Sequence, residues 1–297
     1  MEIPDFQTGK TVKAKLSQIF YAGKGINVAF TLKELGYEPE VIAFVGENQI
    51  YSYSQALSPI KKTLIPVFGD TRNNITIIDP QNQTETHIRE PGFQLSQENL
   101  LQLQAVLNSN VSEGDWIILT GSLPFGAPDD LYAKLIHTIS AKNAYAVLDS
   151  SGAPLIEGAK AAPRILKINT EELAQLAGRS LFSESEMIHE SNSLLKNNCE
   201  FVVITQAKNG ALGVNREGAW STEIPAQFPA GLNTVGCGDA FLGGLIAKLT
   251  QNTPFETALA YATACGAANT LISGAGRIER TSVERIVSKI RVSRRTF

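Results

Sequence analysis

The chain has 297 residues, of which 43% are hydrophobic and 19% are charged, and its formal net charge is −3. This composition is typical of a globular protein with a substantial core, and the small negative charge gives no reason to expect a nucleic-acid partner. No apolar run approaches the roughly 20 residues that span a bilayer, and no signal peptide is recognisable, so we expect a cytoplasmic protein that does not bind a membrane. Three scattered cysteines without metal-ligand spacing favour a reducing compartment.

The first third of the chain predicts a helix, a buried strand and a separate small sheet. Residues 1–22 are polar and mixed, and they indicate only short, partly exposed strands. A helix that begins at Gly23 and ends at Gly36 follows, and residues 41–45 are typical of a buried strand. Polar and apolar residues then alternate from 64 to 90, which predicts an antiparallel meander apart from the main sheet. Such a sheet could be a lid over a site or an edge decoration of the core.

From residue 95 onward, apolar strands alternate regularly with helices. The strands are predicted over 116–120, 144–149, 165–169 and 201–205. Continuous apolar strands separated by helices indicate a parallel sheet covered on both faces, and ligands bind beyond the carboxyl ends of such strands. Four polar side chains fall at this edge: Ser122, Asp149, Asn169 and Thr205. The basic C-terminal end is expected to be a solvated tail.

A glycine-punctuated turn, Asn233-Thr-Val-Gly-Cys-Gly-Asp-Ala-Phe241, opens a helix of small residues and is the strongest functional signal. Its glycines allow a tight turn whose N–H groups come close to a ligand, and the start of the helix adds a partial positive charge. Such a place suits a phosphoryl group. Asp239 at the helix mouth can accept a proton from a hydroxyl, so the turn fits phosphoryl transfer to an alcohol. Taken alone, the turn is explained at least as well by Asp239 as an ordinary helix cap.

A second motif, Gly23-Lys-Gly-Ile-Asn-Val-Ala29, lies near the start of the chain. Together the two motifs resemble the signatures of the pfkB-type (ribokinase-like) carbohydrate kinases, and the order and separation of the segments between them fit nearly the whole chain. The resemblance implies an α/β ribokinase-like three-layer fold with a mostly parallel central sheet and a small β lid. It places the lid in residues 1–22 and 64–93, and the nucleotide- and substrate-binding core in residues 23–63 and 94–297.

The resemblance also assigns roles to individual residues. It implies that Asp239 is the general base. The transferring phosphoryl group would be stabilised by the backbone N–H groups of Gly236, Cys237 and Gly238. Hydrated Mg²⁺ would be placed through water by the pair Asn169 and Glu172, which an ordinary helix cap explains about as well. The acceptor side would contain Gly23, Lys24, Gly25, Asn27, Arg72 and Ser122. The nucleotide side would contain Lys167, Thr205, Lys208, Gly210 and Asn269.

The implied activity is the phosphorylation of a hexose phosphate by Mg-ATP, because the closest likeness is to the sugar-phosphate branch of the family. That branch contains 1-phosphofructokinase and tagatose-6-phosphate kinase. Fructose 1-phosphate is the expected acceptor and fructose 1,6-bisphosphate the product, with tagatose 6-phosphate and fructose 6-phosphate as alternatives. Lys24 and Arg72 suit an acceptor that is already phosphorylated. The resemblance further implies a homodimer formed through the lid.

Two alternatives from other classes stay open. Gly23 and Gly25 open a helix, with Glu47 about twenty residues further on, as in the dinucleotide fingerprint of an NAD-dependent dehydrogenase; Val28 stands where the third glycine belongs. The other alternative is a catalytically impaired nucleotide-binding protein. Members of this branch normally begin with an apolar strand ending in Asn-Pro-Ala-x-Asp, whose Asp grips the acceptor. The residues Met1-Glu-Ile-Pro-Asp-Phe6 match the segment that comes after that strand, so we expect the strand and its Asp to be missing.

Overall fold

The computed structural model of the protein describes residues 1–197, 199–225 and 234–295, and Asn233 of the glycine-containing turn lies outside these ranges. The helices are α1 (Lys24–Glu34), α2 (Ile50–Ala56), α3 (Gln97–Asn110), α4 (Leu131–Ser140), α5 (Gly152–Lys160), α6 (Thr170–Ala177), α7 (Glu184–Lys196), α8 (Cys237–Leu249), α9 (Phe255–Asn269) and α10 (Arg280–Val287). The strands are β1 (Glu40–Gly46), β2 (Lys61–Val67), β3 (Asn74–Asp79), β4 (Thr84–Arg89), β5 (Trp116–Thr120), β6 (Tyr145–Asp149), β7 (Ile165–Asn169), β8 (Phe201–Thr205), β9 (Ala211–Asn215), β10 (Gly218–Glu223) and β11 (Arg291–Arg295).

A seven-stranded sheet with the order β11-β10-β9-β8-β7-β6-β5 forms the centre of the protein. The predicted parallel pairing is confirmed for β5 to β8. Beyond β8, the strands β9, β10 and β11 extend the sheet by antiparallel pairs, so the sheet is mixed. The turn between β9 and β10 is tight, and in it the Asn215 side chain accepts hydrogen bonds from the backbone N–H groups of Glu217 and Gly218.

Helices cover both faces of this sheet, because successive residues of a strand point to opposite sides. Leu148 and Leu166 pack on one face against apolar side chains of α3 to α7. Val147 and Ile165, their neighbours in sequence, pack on the other face against α1, α8 and α9. Burial of such side chains stabilises the fold by about 1.5–3 kcal/mol each. The result is the three-layer arrangement that the sequence predicts.

β1 and β2 form a separate parallel pair, in register from Glu40 opposite Lys61 to Gly46 opposite Val67. Residues 64–67 therefore belong to a parallel strand, and their assignment to an antiparallel meander was wrong. Alternation of polar and apolar residues is the same for a half-exposed strand of either orientation, so the pattern alone could not decide the pairing. α1 contacts both β1 and β5 and so connects the two sheets.

β3 and β4 form the antiparallel hairpin that the alternation predicts. The N-terminal segment lies along this hairpin, where the Ile3 N–H donates to the Ile78 carbonyl at 2.9 Å. The Asp79 carboxylate accepts a hydrogen bond from the Phe6 N–H at 2.8 Å. Residues 1–22 contribute isolated bridges to this region and no regular strand. The hairpin and the N-terminal segment thus form one small unit.

The basic C-terminal end is not a solvated tail, because β11 pairs with β10 along the edge of the central sheet. Arg294 donates to the Glu217 carbonyl at 2.9 Å, and Arg295 forms an ion pair with Glu184 at 2.8 Å. Arginines on an edge strand keep it from pairing with other chains, and they also hide the strand from a prediction that relies on apolar residues.

α8 and α9 pack with their backbones close together. A Cβ atom at Gly244 would lie 2.6 Å from the Cys265 sulfur, and one at Gly243 would lie 2.8 Å from Thr31 Cγ2 of α1. Glycine at both positions allows α8 to pack closely between α9 and α1. In this position, the amino end of α8 lies near the carboxyl ends of the strands. Although α8 and α9 are apolar, no helix in the described ranges is long and apolar enough to cross a membrane.

Candidate active site

The candidate site lies where the carboxyl ends of β5 to β8 meet the amino ends of α1 and α8. Gly236 precedes α8 with a φ of +84°, and a Cβ atom there would lie 2.5 Å from the backbone nitrogen of Gly276. Only glycine tolerates both this conformation and this contact. The Cys237 N–H closes the turn onto the Thr234 carbonyl at 3.3 Å, and Gly238 follows in the first turn of the helix. The predicted helix-opening turn is confirmed over residues 234–239.

Asp239 lies in the first turn of α8 and is 5% exposed. One of its carboxylate oxygens accepts a hydrogen bond from the Asn27 side-chain nitrogen at 2.7 Å. Burial raises the pKa of Asp239 to about 6, and the Lys24 ammonium and the Asn27 hydrogen bond oppose this effect only in part. A carboxylate with this pKa is a stronger base than an ordinary Asp, and it is still largely ionised at neutral pH.

Asp149 ends β6 without exposed surface and binds two lysines. The ammonium groups of Lys24 and Lys167 donate to the same oxygen, Oδ1, at 2.9 Å and 3.2 Å, and the Thr120 hydroxyl donates to Oδ2 at 3.2 Å. Burial by itself would raise the pKa of Asp149, but the two ammonium groups hold it below its ordinary value. A Cβ atom at Gly238 would lie 3.1 Å from Lys167 Nζ, so this lysine reaches the mouth of α8. The strand pattern placed Asp149 at this edge, but the sequence did not predict that Lys24 and Lys167 bind it.

The start of α1 brings the predicted acceptor-side residues Gly23, Lys24, Gly25 and Asn27 to the same place. Gly25 packs beside Thr120, since a Cβ atom would lie 3.6 Å from its methyl group. Asn27 is 6% exposed, and its side-chain oxygen is buried and has no hydrogen-bond partner among the residues that the structure describes. A buried acceptor is seldom left unpaired in a folded protein, so this oxygen is a candidate to bind a donor group of a ligand.

Hydrogen bonds of β4 and of the loop before β3 connect the small unit of residues 1–22 and β3–β4 to the core. The Arg72 guanidinium, in the loop before β3, donates to the Ser122 hydroxyl at 2.9 Å, which brings these two predicted residues together. The Glu85 carboxylate of β4 accepts hydrogen bonds from the Thr234 N–H at 3.1 Å and from its hydroxyl at 2.8 Å. Glu85 was not predicted, because nothing in its local sequence distinguishes it from a solvated strand residue.

Asn169 and Glu172 form a reciprocal cap at the start of α6. The Glu172 N–H donates to the Asn169 side-chain oxygen at 2.8 Å, and the Asn169 N–H donates to the Glu172 carboxylate at 2.8 Å. Burial raises the pKa of Glu172, and a hydrogen bond and the nearby Lys167 act against this rise. The helix-cap interpretation of the pair is therefore confirmed, while its role near a metal ion stays a prediction.

The predicted nucleotide-side residues have unequal positions. Thr205 ends β8 at the same edge, and Lys208 is exposed in the turn that follows. Gly210 has a φ of +92° and lies directly against the Thr222 carbonyl, so the packing of β10 accounts for this glycine. Asn269 is fully buried; its amide donates to the Val235 carbonyl at 2.9 Å and accepts from the Arg277 N–H at 3.1 Å. Within the described residues, Asn269 thus stabilises the turn before α8 by hydrogen bonds to its backbone and to the backbone of Arg277.

Comparison with known proteins agrees with this geometry. Residues 3–281 match the family described as pfkB family carbohydrate kinase. The chain is 31% identical over 289 residues to 1-phosphofructokinase of Haemophilus influenzae, covering 97% of this chain and 92% of that protein. It is 27% identical over 296 residues to 1-phosphofructokinase of Bacillus subtilis, covering 99% and 95%.

A solved structure shares the fold. Phosphofructokinase-2 from Escherichia coli in complex with potassium has a TM-score of 0.89 and 23% identity to this chain, with 97% of this chain and 93% of that chain covered. The predicted ribokinase-like fold is therefore confirmed, and a dinucleotide-dependent dehydrogenase is not favoured. Because the match extends over almost the whole chain and both glycine-containing motifs converge on one buried carboxylate, the protein belongs to the pfkB family of carbohydrate kinases.

Proposed function

We propose that the protein transfers a phosphoryl group from ATP to fructose 1-phosphate and forms fructose 1,6-bisphosphate. The observation that supports this most strongly is the position of Asp239, a buried carboxylate at the amino end of α8, close to two lysine ammonium groups. The two bacterial relatives named 1-phosphofructokinase are 27–31% identical to this chain. Because ATP and sugar phosphates are intracellular metabolites, the proposal also places the protein in the cytoplasm.

In the proposed reaction, Asp239 accepts the proton of the acceptor hydroxyl while the oxygen attacks the terminal phosphorus of ATP and ADP leaves. A pKa of about 6 allows this carboxylate to take up the proton and then release it to water at neutral pH. Lys167 supplies positive charge near the transferred group, and the N–H groups at the start of α8 add a partial charge. Positioning and charge stabilisation of this kind are the main contributions of a protein to phosphoryl transfer.

The acceptor would be bound by α1 and by the loop before β3. The Asn27 side-chain oxygen, which has no partner in the described ranges and belongs to the side chain that binds Asp239, would accept a hydrogen bond from a sugar hydroxyl. The Lys24 ammonium and the Arg72 guanidinium would hold the phosphate that the acceptor already carries, and the planar Arg72 fork suits two phosphate oxygens. A neutral sugar would leave both cations without a partner on the ligand.

Mg²⁺ would neutralise charge on the triphosphate when it is bound. Among the described residues, no group of three or more acidic, His or Cys side chains could form a protein cage around a metal ion. Mg²⁺ usually keeps several of its waters, and oxygen donors such as Asn169 and Glu172 fit the outer shell of such an ion. We therefore propose that this pair holds waters of hydrated Mg²⁺.

The central test is ADP release from Mg-ATP with fructose 1-phosphate, tagatose 6-phosphate and fructose 6-phosphate in parallel. We expect the highest kcat/KM with fructose 1-phosphate and no turnover when Mg²⁺ is omitted. Asp239→Asn is expected to lower kcat by about 10²–10⁴, the usual effect of losing a general base, while the exposed-residue control Asp129→Asn keeps its activity. Binding of ATP without turnover on any acceptor would contradict the proposal and favour an impaired nucleotide-binding protein.

The pKa of Asp239 predicts opposite effects of pH on activity and stability. Activity should fall tenfold per pH unit below about pH 6, because protonated Asp239 cannot accept a proton. The folded-state pKa lies above the ordinary value of 3.8, so the folded protein binds this proton more tightly and its stability falls as the pH rises from about 4 to about 6. At pH 8, Asp239→Asn should therefore be more stable than the wild type by about 1–3 kcal/mol in urea unfolding. A less stable variant at pH 8 would show that the buried charge is not costly.

Glu172→Gln separates the helix cap from the proposed role near Mg²⁺. Glutamine can keep both hydrogen bonds of the cap but has no charge to hold a hydrated cation. We expect the melting temperature not to fall and the Mg²⁺ concentration for half-maximal activity to rise about tenfold or more, as for other outer-shell groups. Glu171→Gln, one residue earlier and exposed, is the matched control. An unchanged Mg²⁺ requirement would contradict the proposed role near Mg²⁺ and show that Glu172 acts only as a helix cap.

We also propose that two chains associate through the lid. Ile88 on β4 is a large apolar residue of the small sheet and is 49% exposed, and a phosphofructokinase-2 of the same fold has been solved in a tetrameric inhibited form. Sedimentation should give twice the chain mass for the wild type and the single-chain mass for Ile88→Lys. Phe182→Ser changes a residue that is 89% exposed in the loop between α6 and α7, and it should leave the dimer intact. A wild-type protein that sediments as a single chain would refute this arrangement.

A further inference from the structure

The candidate site contains two lysine cations, one half-buried (Lys24) and one buried (Lys167), and two buried carboxylates, and both cations are paired with the same carboxylate. Lys24 and Lys167 both form ion pairs with Asp149, at 2.9 Å and 3.2 Å. In the part of the chain that the structure describes, Asp239 has no ion pair within 4.0 Å, although both lysines are close enough to influence its charge. Both lysines therefore form their ion pairs with Asp149 and not with Asp239, although the two carboxylates belong to the same site.

This selectivity matters because a buried ammonium group and a buried carboxylate attract each other strongly when no other partner is present. A lysine in direct contact with Asp239 would stabilise its ionised form and make it a weaker base. The lysine would also have fewer N–H donors for phosphate oxygens. A site that needs both free cations and a basic carboxylate must keep them apart.

We propose that Asp149 is a positioning residue that acts as a decoy counter-ion: it holds the ammonium groups of Lys24 and Lys167 and so keeps both from pairing with Asp239. The catalytic consequence rests on the proposed function, whereas the ionic arrangement itself does not. Each ammonium group has three N–H donors. One of them donates to Asp149, and the other two can donate to ligand oxygens.

The surroundings of Asp149 suit this role. Its carboxylate has no exposed surface, so water cannot replace the lysines as its partner. The Thr120 hydroxyl binds the second oxygen and fixes the orientation of the carboxylate, which leaves Oδ1 for both ammonium groups. The Lys24 side chain is 38% exposed and comes from α1, whereas the Lys167 side chain is 6% exposed and comes from β7. One carboxylate thus positions a cation on the acceptor side and a cation on the nucleotide side.

Among the described residues, the groups with the largest effects on the charge of Asp239 lie on α1, β6 and β7. Lys24 and Asn27 of α1 and Lys167 of β7 favour its ionised form, and Asp149 of β6 disfavours it. Burial of the Lys24 ammonium favours its neutral form, but Asp149 and Asp239 outweigh this effect and raise its pKa, so Lys24 keeps its charge. Removal of the Asp149 charge would leave Asp239 and Glu172 as the carboxylates that attract the two lysines, and the effect of Asp239 on Lys24 is the larger of the two.

The test is Asp149→Asn in the full-length protein without substrates. Asparagine has nearly the same shape but cannot hold two ammonium groups. We expect a crystal structure of this variant to place Lys24 or Lys167 within 4.0 Å of the Asp239 carboxylate. We also expect carboxyl ¹³C NMR titration, assigned with Asp239→Asn, to show that the pKa of Asp239 falls by about one unit or more, which is a tenfold weaker affinity for the proton. Asp129→Asn should leave this titration unchanged.

Two results would overturn the proposal: lysines that remain away from Asp239 in the folded variant, or an Asp239 pKa that does not fall. Should Asp149→Asn fail to fold, Lys24→Met can be compared with Lys24→Met/Asp149→Asn, in which only one cation is left. The proposal then requires Lys167 to contact Asp239 in the double variant but not in the single one, and the pKa of Asp239 to be lower in the double variant.

Catalysis gives a separate readout. If the proposed kinase reaction is correct, the acid limb of the kcat/KM profile of Asp149→Asn should move to lower pH, while the plateau falls about tenfold or more because the base is weaker. Because removal of the Asp149 charge by itself also lowers the pKa of Asp239, the lysine positions in the crystal structure decide whether a new ion pair contributes to the shift. If no acceptor is phosphorylated, the proposed function fails, yet the titration and the lysine positions still decide the question of the counter-ion.

Discussion

The site depends on the close approach of three backbone segments: the start of α8, the start of α1 and the loop around Gly276. A Cβ atom at Gly236 would collide with this loop, and one at Gly276 would collide with the Asn27 carbonyl. The Thr31 hydroxyl donates to the Gly276 carbonyl at 2.9 Å and holds the loop on α1. Because these segments touch, the Asn27 side chain reaches Asp239, and the carboxylate is closed off from water. The raised pKa of Asp239 is therefore a result of glycine packing.

The electrostatics of the site follow from the same burial. Water is largely excluded, so the charges interact strongly and their pairing determines which groups are free to react. The parallel strands bring Asp149 and Lys167 to one edge of the sheet, and α1, which packs on one face of the sheet, brings Lys24 to the same place. A mixed sheet suits this arrangement, since its parallel half aligns strand ends at the site while its antiparallel half closes the edge with β11.

The sequence predicted those parts of the protein that depend on local patterns. Apolar runs located β5 to β8, and the glycine-containing motifs located the starts of α1 and α8. Pairings that depend on distant residues were not accessible: β2 alternates like an antiparallel edge strand, and β11 looks like a charged tail until β10 lies beside it. The same limit applies to Asp149, whose partner Lys24 is 125 residues away. Local spacing cannot identify a contact that only the finished sheet creates.

The tight contact between α8 and α9 buries a cysteine whose reactivity reports when the two helices separate. The Cys265 sulfur lies against Gly244 with no exposed surface, and burial raises the pKa of its thiol far above the ordinary range. An alkylating reagent can reach this sulfur only when the two helices separate, so the rate of labelling measures how often α8 opens away from the core. A ligand that binds the amino end of α8 stabilises the closed pair and slows the labelling. Cysteine chemistry can thus report the local stability of the helix that carries Asp239, without any measurement of turnover.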